Sequence, residues 1–463
     1  MTPDLRPCDP FRPLADARGS VLAPNRDRNG AGLAARALAR KASLVIFLLA
    51  ATLRQTLIFG FHRYEIGRPE PIRIAMSLAA HGSFANPYKI PTGPTAHAAP
   101  LYPALIAPFY AAWRNTVRAD LARFALNALA ASVEYALLPL AADALGMGVW
   151  TGIVAGVGGA LIPLQFWPEC MGDFETTWVA LFLELATIVF ARFLRAPRLD
   201  WKRAAGGGLL WGVGLLWSPN VLPVLIGFCA IGAWKLRPSA AAAGRWLAVF
   251  CASTFLVLAP WLIRNRLQLG GVFLVRDNFG LELFISNHDG ALPQAADNCL
   301  TVSFQATHPS CSPAAARQIQ LHGELAFEKQ KLRQALGWIW RNPHEFASLT
   351  AARAWAFWFP WTPRFRWVLW TAAVGGFAGL ALLWMSRRLA AVVLGAVLVG
   401  YSGVYCLISN ALRYEHPVWW IQVLMIGWIA HLVFRRRLTE QPAQDLESLP
   451  LELSAPVSGE RTR

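Results

Sequence analysis

The sequence predicts an all-α polytopic membrane protein, and three observations lead to that class. Of the 463 residues, 55% are hydrophobic and only 15% are charged, whereas roughly a quarter of the residues of a soluble chain carry a charge. Several windows of about 17 to 21 residues contain almost no charge, which is the length needed to cross the hydrocarbon core of a bilayer. Lysine and arginine gather at the ends of these windows, the pattern of cytoplasmic loops.

Hydropathy places about ten transmembrane helices along the chain. They lie near 43–61, 121–141, 149–166, 176–193, 204–217, 221–234, 246–263, 365–384, 389–408 and 417–434. The dense basic clusters then fall on one side of the membrane and nearly all loop acids on the other, so both termini are predicted to be cytoplasmic. The net charge of +16 follows from these clusters and does not indicate a nucleic-acid partner.

Charge and proline content divide the chain into five predicted regions. They are a disordered cytoplasmic extension (1–42), a membrane domain (43–263) with an outer catalytic loop (62–120), an outer segment (264–364), the C-terminal transmembrane helices (365–434) and a disordered cytoplasmic tail (435–463). The polar, proline-containing composition of both ends is typical of segments that bury little apolar surface.

Two helices are predicted outside the spans. Residues 101–113 are apolar but short and contain two prolines, which is typical of an interfacial or re-entrant helix. In the outer segment, Ser312-Pro313 is a helix start and Asn342-Pro343 ends that helix. Its apolar stripe, expected to pack on the membrane domain, consists of Leu325, Leu332, Leu336 and Ile339.

Acids in the outer loops are the first candidates for chemistry. Glu65 and Glu70 precede a turn-rich stretch, and a carboxylate at the membrane boundary can act as a general base on a hydroxyl acceptor. The alternative is a solvated acid that pairs with a nearby arginine. Asp173 and Glu175 open the fourth span and could instead favour the helix dipole; Glu169, in the same loop, is the more ordinary acid.

Three of the arginines on the outer side, where basic residues are less expected, are candidates for binding. Arg264, Arg353 and Arg413 offer a planar fork that matches phosphate oxygens, which suits a phosphate leaving group. The alternative for each is snorkelling of the side chain to lipid headgroups.

Three charged residues lie away from the ends of the predicted spans: Arg54, Glu134 and Glu184. Isolated charges in the bilayer are costly, so a structural pair between Arg54 and one of the glutamates is the preferred interpretation. A proton relay, the alternative, would indicate a transporter.

Cys299 and Cys311 share the outer segment, where an oxidising compartment would allow a disulfide between them. The chain shows no cysteine and histidine cluster with zinc spacing, and Gly206-Gly207-Gly208 lacks the strand context of a nucleotide-binding loop. No metal ligand is therefore predicted from spacing.

Several short motifs taken together resemble the outer loops of bacterial GT-C glycosyltransferases, of the protein-mannosyltransferase and aminoarabinose-transferase type (glycosyltransferase family 39). In the first outer loop they are Glu70, Arg73-Ile74-Ala75, Gly82, Phe84, Asn86-Pro87, Thr92-Gly93-Pro94-Thr95 and Pro100-Leu101-Tyr102-Pro103. Further along they are Pro260-Trp261, Arg264-Asn265, Asn278-Phe279-Gly280-Leu281-Glu282, Asn287, Gly323-Glu324, Trp338-Ile339, Arg413-Tyr414 and Pro417.

This resemblance implies a GT-C-like helical bundle that transfers a hexosyl or pentosyl unit from a polyprenyl-phosphate carrier to a lipid, glycan or protein acceptor. The reaction would take place at the outer face of a bacterial cytoplasmic membrane. It implies no certain cofactor, although a divalent metal is possible.

The resemblance also implies roles for individual residues. The family's loop begins with an Asp-Glu pair that this chain lacks, so the role of base passes to Glu70, with Glu65 in reserve. Asp173 or Glu175 matches the second acid. The substrate-binding candidates are Arg264, Arg353, Arg413, Asn287, Tyr102 and His97.

Two other functions remain open from the residues. A transporter or flippase of lipid-linked sugars would favour internal repeats and broken helices, and no convincing repeat is present. A polymerase or ligase of surface polysaccharide would differ mainly in its acceptor.

Overall fold

The computed structural model describes residues 25–113, 117–195, 201–236, 239–361 and 365–440, and the side chains of these residues between 34 and 434. Within those ranges the chain is built from helices, and extended pairing is limited to two isolated bridges, Ala85 with Pro94 and Gln294 with Asn410. The predicted all-α class is confirmed.

Seven helices are long and apolar enough to cross a membrane, by length and composition. They are Ala34–Gly60, Val117–Leu145, Thr176–Arg195, Ala240–Leu269, Arg366–Ser386, Arg388–Tyr405 and His416–Phe434. In order, they belong to α1 (Asn25–Gln55, extended by a π-helix, Thr56–Gly60), α4 (Val117–Leu145), α7 (Thr176–Arg195), α10 (Ala240–Leu269), α17 (Arg366–Ser386), α18 (Arg388–Tyr405) and α19 (His416–Glu440). Each matches a span predicted from hydropathy.

The other three predicted spans are helices too short for that length. α5 (Val149–Leu161), α8 (Trp201–Trp217) and α9 (Leu222–Lys235) have 13, 17 and 14 residues. At about 1.5 Å per residue, α5 is roughly 20 Å long, against roughly 30 Å of hydrocarbon. The prediction of a full span at 149–166 is therefore wrong, because the helix ends at Leu161 and its last carbonyls are used by a side chain described below.

The first helix also begins earlier than predicted. α1 starts at Asn25, so the part of the predicted disordered extension from 25 to 42 is helical. Residues 1–24 and 441–463 lie outside the described residues. At the other end α19 continues to Glu440, which corrects the start of the predicted tail.

The first outer loop holds two helices, α2 (Glu70–His81) and α3 (Leu101–Trp113). α3 is the helix predicted from its short apolar run, and it packs on α2 through Ile72, Ala75, Tyr102 and Ile106. α2 begins after Pro69 and ends at Gly82, which takes a left-handed φ of 64° at low steric cost for glycine. This packing fixes Glu70 at the first turn of α2.

The outer segment is a set of short helices. They are α11 (Phe279–Ser286), α12 (Ala295–Asn298), α13 (Val302–Thr307), α14 (Pro313–His322), α15 (Glu324–Arg341) and α16 (Pro343–Trp358). The predicted start is confirmed, since the Ser312 side chain accepts a hydrogen bond from Ala315 N. The helix predicted to run to Asn342 is instead broken at Gly323, whose φ is 82°.

The buried face of α15 also differs from the predicted leucine stripe. Its buried residues are Glu324, Phe327, Glu328 and Ala335, whereas Leu336 is 51% exposed. Because two carboxylates lie on the packed face, a pattern of apolar residues alone could not find it. Leu332 and Ile339 do contact the main core at its edge.

The two ends of the membrane helices differ in charge. At one end, Arg195, Lys235 and Arg387 each donate to a backbone carbonyl at or just beyond the end of a neighbouring helix, at 3.0–3.3 Å. α7 (Thr176–Arg195) runs toward this basic end and α18 (Arg388–Tyr405) runs away from it. The opposite end, where α7 begins and α18 ends, is where the outer segment lies.

Candidate active site

A cavity of about 820 Å³ lies between the outer segment and the ends of the membrane helices opposite the basic end. Its charged and imidazole side chains are Glu70, His97, Glu175, Arg276, Glu282, His308 and Arg413. Its apolar lining includes Val179, Leu274, Ile285, Phe304, Trp361, Val404 and Ile408. This volume is within the range of ligand pockets, which are commonly apolar with a few converging polar groups.

Glu70 enters the cavity from the first turn of α2, where the helix dipole favours a negative charge. Its Oε1 accepts a hydrogen bond from Ser310 Oγ at 2.8 Å. Burial raises the pKa of Glu70 and the charged forms of the His97 and His308 imidazoles lower it, while its own backbone N–H and the Ser310 hydroxyl help to bring that pKa below its ordinary value. These two hydrogen bonds favour the ionised Glu70 carboxylate even with His97 neutral.

His97 lies beside Glu70 and is neutral. Burial lowers the pKa of His97 to about 3. Its Nδ1 is 3.0 Å from Tyr88 Oη, and burial raises the pKa of Tyr88, so the tyrosine hydroxyl keeps its proton and donates it to this nitrogen. The His97 proton is accordingly assigned to Nε2.

Glu175 and Arg276 form an ion pair in the cavity wall. Arg276 Nη1 is 3.1 Å from Glu175 Oε1, and Arg276 Nε donates to the His97 carbonyl at 2.9 Å. The second predicted acid thus lines the cavity, but with its charge compensated. The pair ties the start of α7 to the outer segment and to the loop that carries His97.

Arg413 is the cavity cation without a carboxylate partner among the described residues. Its guanidinium carbon lies 4.1 Å from the ring centre of Phe174 and 4.7 Å from that of Tyr414. Nη2 donates to Tyr414 Oη at 3.1 Å, and the buried Nε has no hydrogen-bond partner in the part of the chain that the structure describes. An arginine stacked on aromatic rings with donors to spare is suited to bind an anion.

Three cavity residues escaped the sequence analysis as candidates: Arg276, Glu282 and His308. Arg276 carried a usable signal, because it is another basic residue on the outer side, like the arginines that were selected. Glu282 appeared in a family motif, and its Oε1 lies 3.4 Å from Asn278 Nδ2. His308 had no local signal, since its position depends on a loop far from Glu70 in the chain.

Glu65 and Asp173 lie outside the cavity lining. Glu65 is exposed. Asp173 Oδ1 is 3.2 Å from Arg123 Nη1, and Arg123 also pairs with the buried Asp120 at 3.3 Å. Burial raises the pKa of Asp173 despite this arginine. The structure therefore gives Asp173 a place in an ion-pair cluster and leaves Glu70 and Glu175 as the predicted acids in the cavity.

Arg264 and Arg353 are occupied by backbone carbonyls and are not part of the lining. Arg264 donates to Thr95 O at 2.7 Å and to Phe84 O at 2.9 Å, so it holds the first outer loop. Arg353 is fully buried and donates to the Ser286 and Leu407 carbonyls and to Asn287 Oδ1. In both cases the donors predicted for phosphate are already used inside the protein.

Asn287 and Tyr102 are likewise internal. Asn287 Nδ2 donates to Leu283 O at 2.8 Å and to Leu407 O at 3.0 Å. Tyr102 is buried, donates to the Gly172 carbonyl and accepts from Asn127. Of the six predicted substrate-binding residues, the structure brings Arg413 and His97 to the cavity.

The predicted intramembrane pair has a different partner. Arg54 Nε bonds Glu169 Oε2 at 2.7 Å, and Tyr135 Oη donates to Glu169 Oε1 at 2.6 Å. Arg54 also donates to the carbonyls of Gly159 and Ala160, near the end of the short helix α5. Predicting Glu134 or Glu184 as the partner of Arg54 was therefore wrong.

Glu134 and Glu184 remain inside the helix bundle. Glu134 Oε2 lies 3.6 Å from His416 Nε2, while both carboxylate oxygens of Glu184 are buried without a hydrogen bond in the described structure. Glu169, the acid judged most ordinary in its loop, is fully buried, and its ion pair is shorter than those of Asp173 and Glu175 in the same loop. A loop position in the sequence does not imply exposure.

Cys299 and Cys311 are free thiols in the structure. The Cys299 thiol lies 3.0 Å from the Ala296 carbonyl, to which it donates, so forming the predicted disulfide requires the side chain to turn. The pairing stays a prediction for the oxidised protein.

No three histidine, cysteine, aspartate or glutamate side chains in the described ranges are grouped to hold a metal.

Comparison with known proteins gives likeness in structure alone. No protein-family model and no curated protein sequence matches the chain. The oligosaccharyltransferase of Archaeoglobus fulgidus in complex with Zn and sulfate aligns with a TM-score of 0.52 and 12% identity, covering 85% of this chain and 50% of that one.

Two further oligosaccharyltransferase structures from Archaeoglobus fulgidus agree. The archaeal oligosaccharyltransferase AglB with an inhibitory peptide and a dolichol-phosphate has a TM-score of 0.51 at 12% identity, over 89% of this chain and 52% of its own. The form tethered with an acceptor peptide has a TM-score of 0.52 at 13% identity, over 86% and 50%. The chain thus spans about half the length of these neighbours.

At such low identity the likeness shows the fold. The chain has a helical membrane fold of the GT-C type, which confirms the predicted fold class.

Proposed function

We propose that the chain is a glycosyltransferase that moves a sugar from a polyprenyl-phosphate carrier to a hydroxyl acceptor at the outer face of a bacterial cytoplasmic membrane. One observation carries the proposal. A single cavity, at the ends of the membrane helices opposite the basic end, is lined by the carboxylate of Glu70 and by Arg413, which forms no salt bridge with a carboxylate among the described residues.

Glu70 is the proposed general base. The acceptor oxygen attacks the anomeric carbon, the bond from that carbon to the phosphate oxygen breaks, and the acceptor proton passes to the Glu70 carboxylate. The electron pair of the broken bond leaves with the polyprenyl phosphate. A carboxylate held ionised is ready to take the proton as the new bond forms.

Arg413 is the proposed contact for the leaving phosphate. Negative charge grows on the phosphate as the sugar departs, and a positioned guanidinium stabilises that charge. Phe174 and Tyr414 hold the guanidinium plane from its faces, so it does not need to reorganise during the reaction. Arg276, although paired with Glu175, adds positive potential in the same wall.

The apolar lining provides a place for the carrier. Val404 at the end of α18 and Ile408 beyond it line the cavity together with Trp361 and Leu274, so the first isoprene units would lie against the ends of the membrane helices. One fold neighbour is described in complex with a dolichol-phosphate, a carrier of the same chemical class, which supports this choice of donor. His97 and Glu282 are left to contact the sugar.

The test is a panel of radiolabelled polyprenyl-phosphate sugars offered to the purified protein in detergent and in proteoliposomes. We expect turnover with one donor, seen as released polyprenyl phosphate and labelled acceptor. Movement of intact lipid-linked sugar between leaflets without transfer would contradict the proposal and favour a flippase. We also propose that the chain is a member of glycosyltransferase family 39, because the sequence motifs around Glu70 and Arg413 resemble those of that family.

A further inference from the structure

Ser310 holds the proposed base from the far side of the cavity. Its Oγ donates to Glu70 Oε1 at 2.8 Å, although the two residues are 240 positions apart. Ser310 and Glu70 both line the cavity. Because the hydroxyl occupies one carboxylate oxygen, it fixes the rotation of the carboxylate plane and leaves the second oxygen for another donor.

The backbone of Ser310 is itself fixed by His308. Ser310 N–H donates to His308 Nδ1 at 3.2 Å, and the imidazole stacks on Phe304 with ring centres 4.8 Å apart. The edge of Tyr88 meets the same ring at 6.1 Å. The hydroxyl is therefore presented to Glu70 by a packed aromatic support.

We propose that Ser310 is a positioning residue for the transfer reaction: it orients the Glu70 carboxylate so that its free oxygen meets the acceptor hydroxyl. The inference rests on the proposed function of Glu70. It adds a residue of the outer segment, outside every motif recognised in the sequence, to the machinery of the site. A hydrogen bond to a charged group is among the stronger ones in proteins.

The other groups that act on Glu70 are known from the structure. They are His97, His308, Tyr88, Cys311 and Arg413. Replacing the Ser310 hydroxyl leaves all of them in place. Since the hydroxyl stabilises the ionised carboxylate, its removal raises the pKa of Glu70, and the acid limb of the pH–rate profile moves to higher pH.

The experiment compares wild type with Ser310→Ala, Ser310→Thr and the control Ser303→Ala, a serine of the same segment that does not line the cavity. A water-soluble carbodiimide labels protonated carboxyls, and mass spectrometry follows the labelling of Glu70 against pH in the folded protein. In Ser310→Ala we expect the labelling midpoint to rise by roughly one pH unit. Transfer should fall about tenfold, with kcat lowered more than KM changes.

Ser310→Thr should restore the midpoint and most of the transfer rate, and Ser303→Ala should match wild type. An unchanged midpoint in Ser310→Ala, or no recovery in Ser310→Thr, would overturn the inference. A shifted midpoint in a protein that transfers no sugar would instead overturn the proposed function, while the hold of Ser310 on Glu70 would stand. Should Ser310→Ala fold poorly, Ser310→Gly removes the same hydroxyl and is read in the same way.

Discussion

The cavity and the buried polar cluster of Arg54, Tyr135 and Glu169 use the same residue types in opposite ways. In the cluster, both oxygens of Glu169 are bonded, at 2.7 Å to Arg54 and 2.6 Å to Tyr135, and neither charged side chain is exposed. In the cavity, Glu70 and Arg413 face shared space and do not pair with each other.

The difference teaches how to separate structural from chemical charges in this fold. A buried charge whose donors and acceptors are all used contributes to packing, because nothing is left to bind a ligand. A charged side chain that neighbouring residues hold in place, but that still has free donors or acceptors facing a cavity, is a candidate to bind a ligand. Arg264 and Arg353, whose Nη groups donate to protein oxygens, resemble the first kind, and Glu70 and Arg413 belong to the second.

The largest effect is expected for Glu70→Gln. Glutamine keeps the shape of the side chain and its bond from Ser310 but cannot accept the acceptor proton, so transfer should fall by roughly 10²- to 10⁴-fold. The rate is measured as labelled acceptor formed per folded protein, and the melting temperature should stay near that of wild type.

Glu65→Gln is the matched control for that variant, since Glu65 is an exposed acid of the same loop. It should transfer at the wild-type rate. Loss of transfer in Glu65→Gln with activity retained in Glu70→Gln would give Glu65 the role of base. The cavity carboxylate would then not be the catalytic one.

Next in size is Glu169→Gln, which tests the other side of the comparison. The change leaves the Arg54 charge buried without its anionic partner, and breaking a buried pair in this way costs about 3–5 kcal/mol. Thermal unfolding in detergent, followed by tryptophan fluorescence, should show a clear loss of stability. The transfer rate of the protein that remains folded should be close to wild type; a fully stable variant with lost transfer would place Glu169 in the chemistry.

The smallest effect concerns Glu415, a buried carboxyl just before α19. Burial raises the pKa of Glu415 to about 8 from an ordinary value of 4.5, so the folded state favours the protonated form. Its contribution to stability is complete below pH 4.5 and is lost as the pH rises through about 8.

Between pH 5 and 9 the melting temperature of wild type should therefore fall as the pH rises. In Glu415→Gln it should fall less steeply. Equal slopes in the two proteins would mean that Glu415 is already ionised in the folded state.

Much of the fold could be predicted because the bilayer imposes length and apolarity on each spanning helix. The seven long helices follow from this requirement, and Ser312-Pro313 marked a helix start by local chemistry alone. The short helix α5 was misread, since its apolar run continues to Pro163 while the helix ends at Leu161. Arg54, about 105 residues earlier, takes the carbonyls left there.

The site was predictable only in part. Glu70 and Glu175 were selected with the family motifs, but nothing local distinguishes them from Glu169, whose partner Arg54 is 115 residues away. Ser310 and His308 reach Glu70 through the folding of the whole outer segment. Such contacts depend on tertiary approach, for which one sequence carries no periodic or motif signal.

The most direct test of the cavity as a lipid-phosphate site is the binding of polyprenyl phosphate itself, measured by native mass spectrometry over a range of lipid concentrations. We expect wild type to bind it and Arg413→Gln to bind roughly ten- to a hundredfold more weakly, the loss of a charge-assisted bond. Arg317→Gln, which removes an exposed arginine of α14, should bind as wild type does. Equal binding by Arg413→Gln and wild type would contradict the assignment of the phosphate to this cavity.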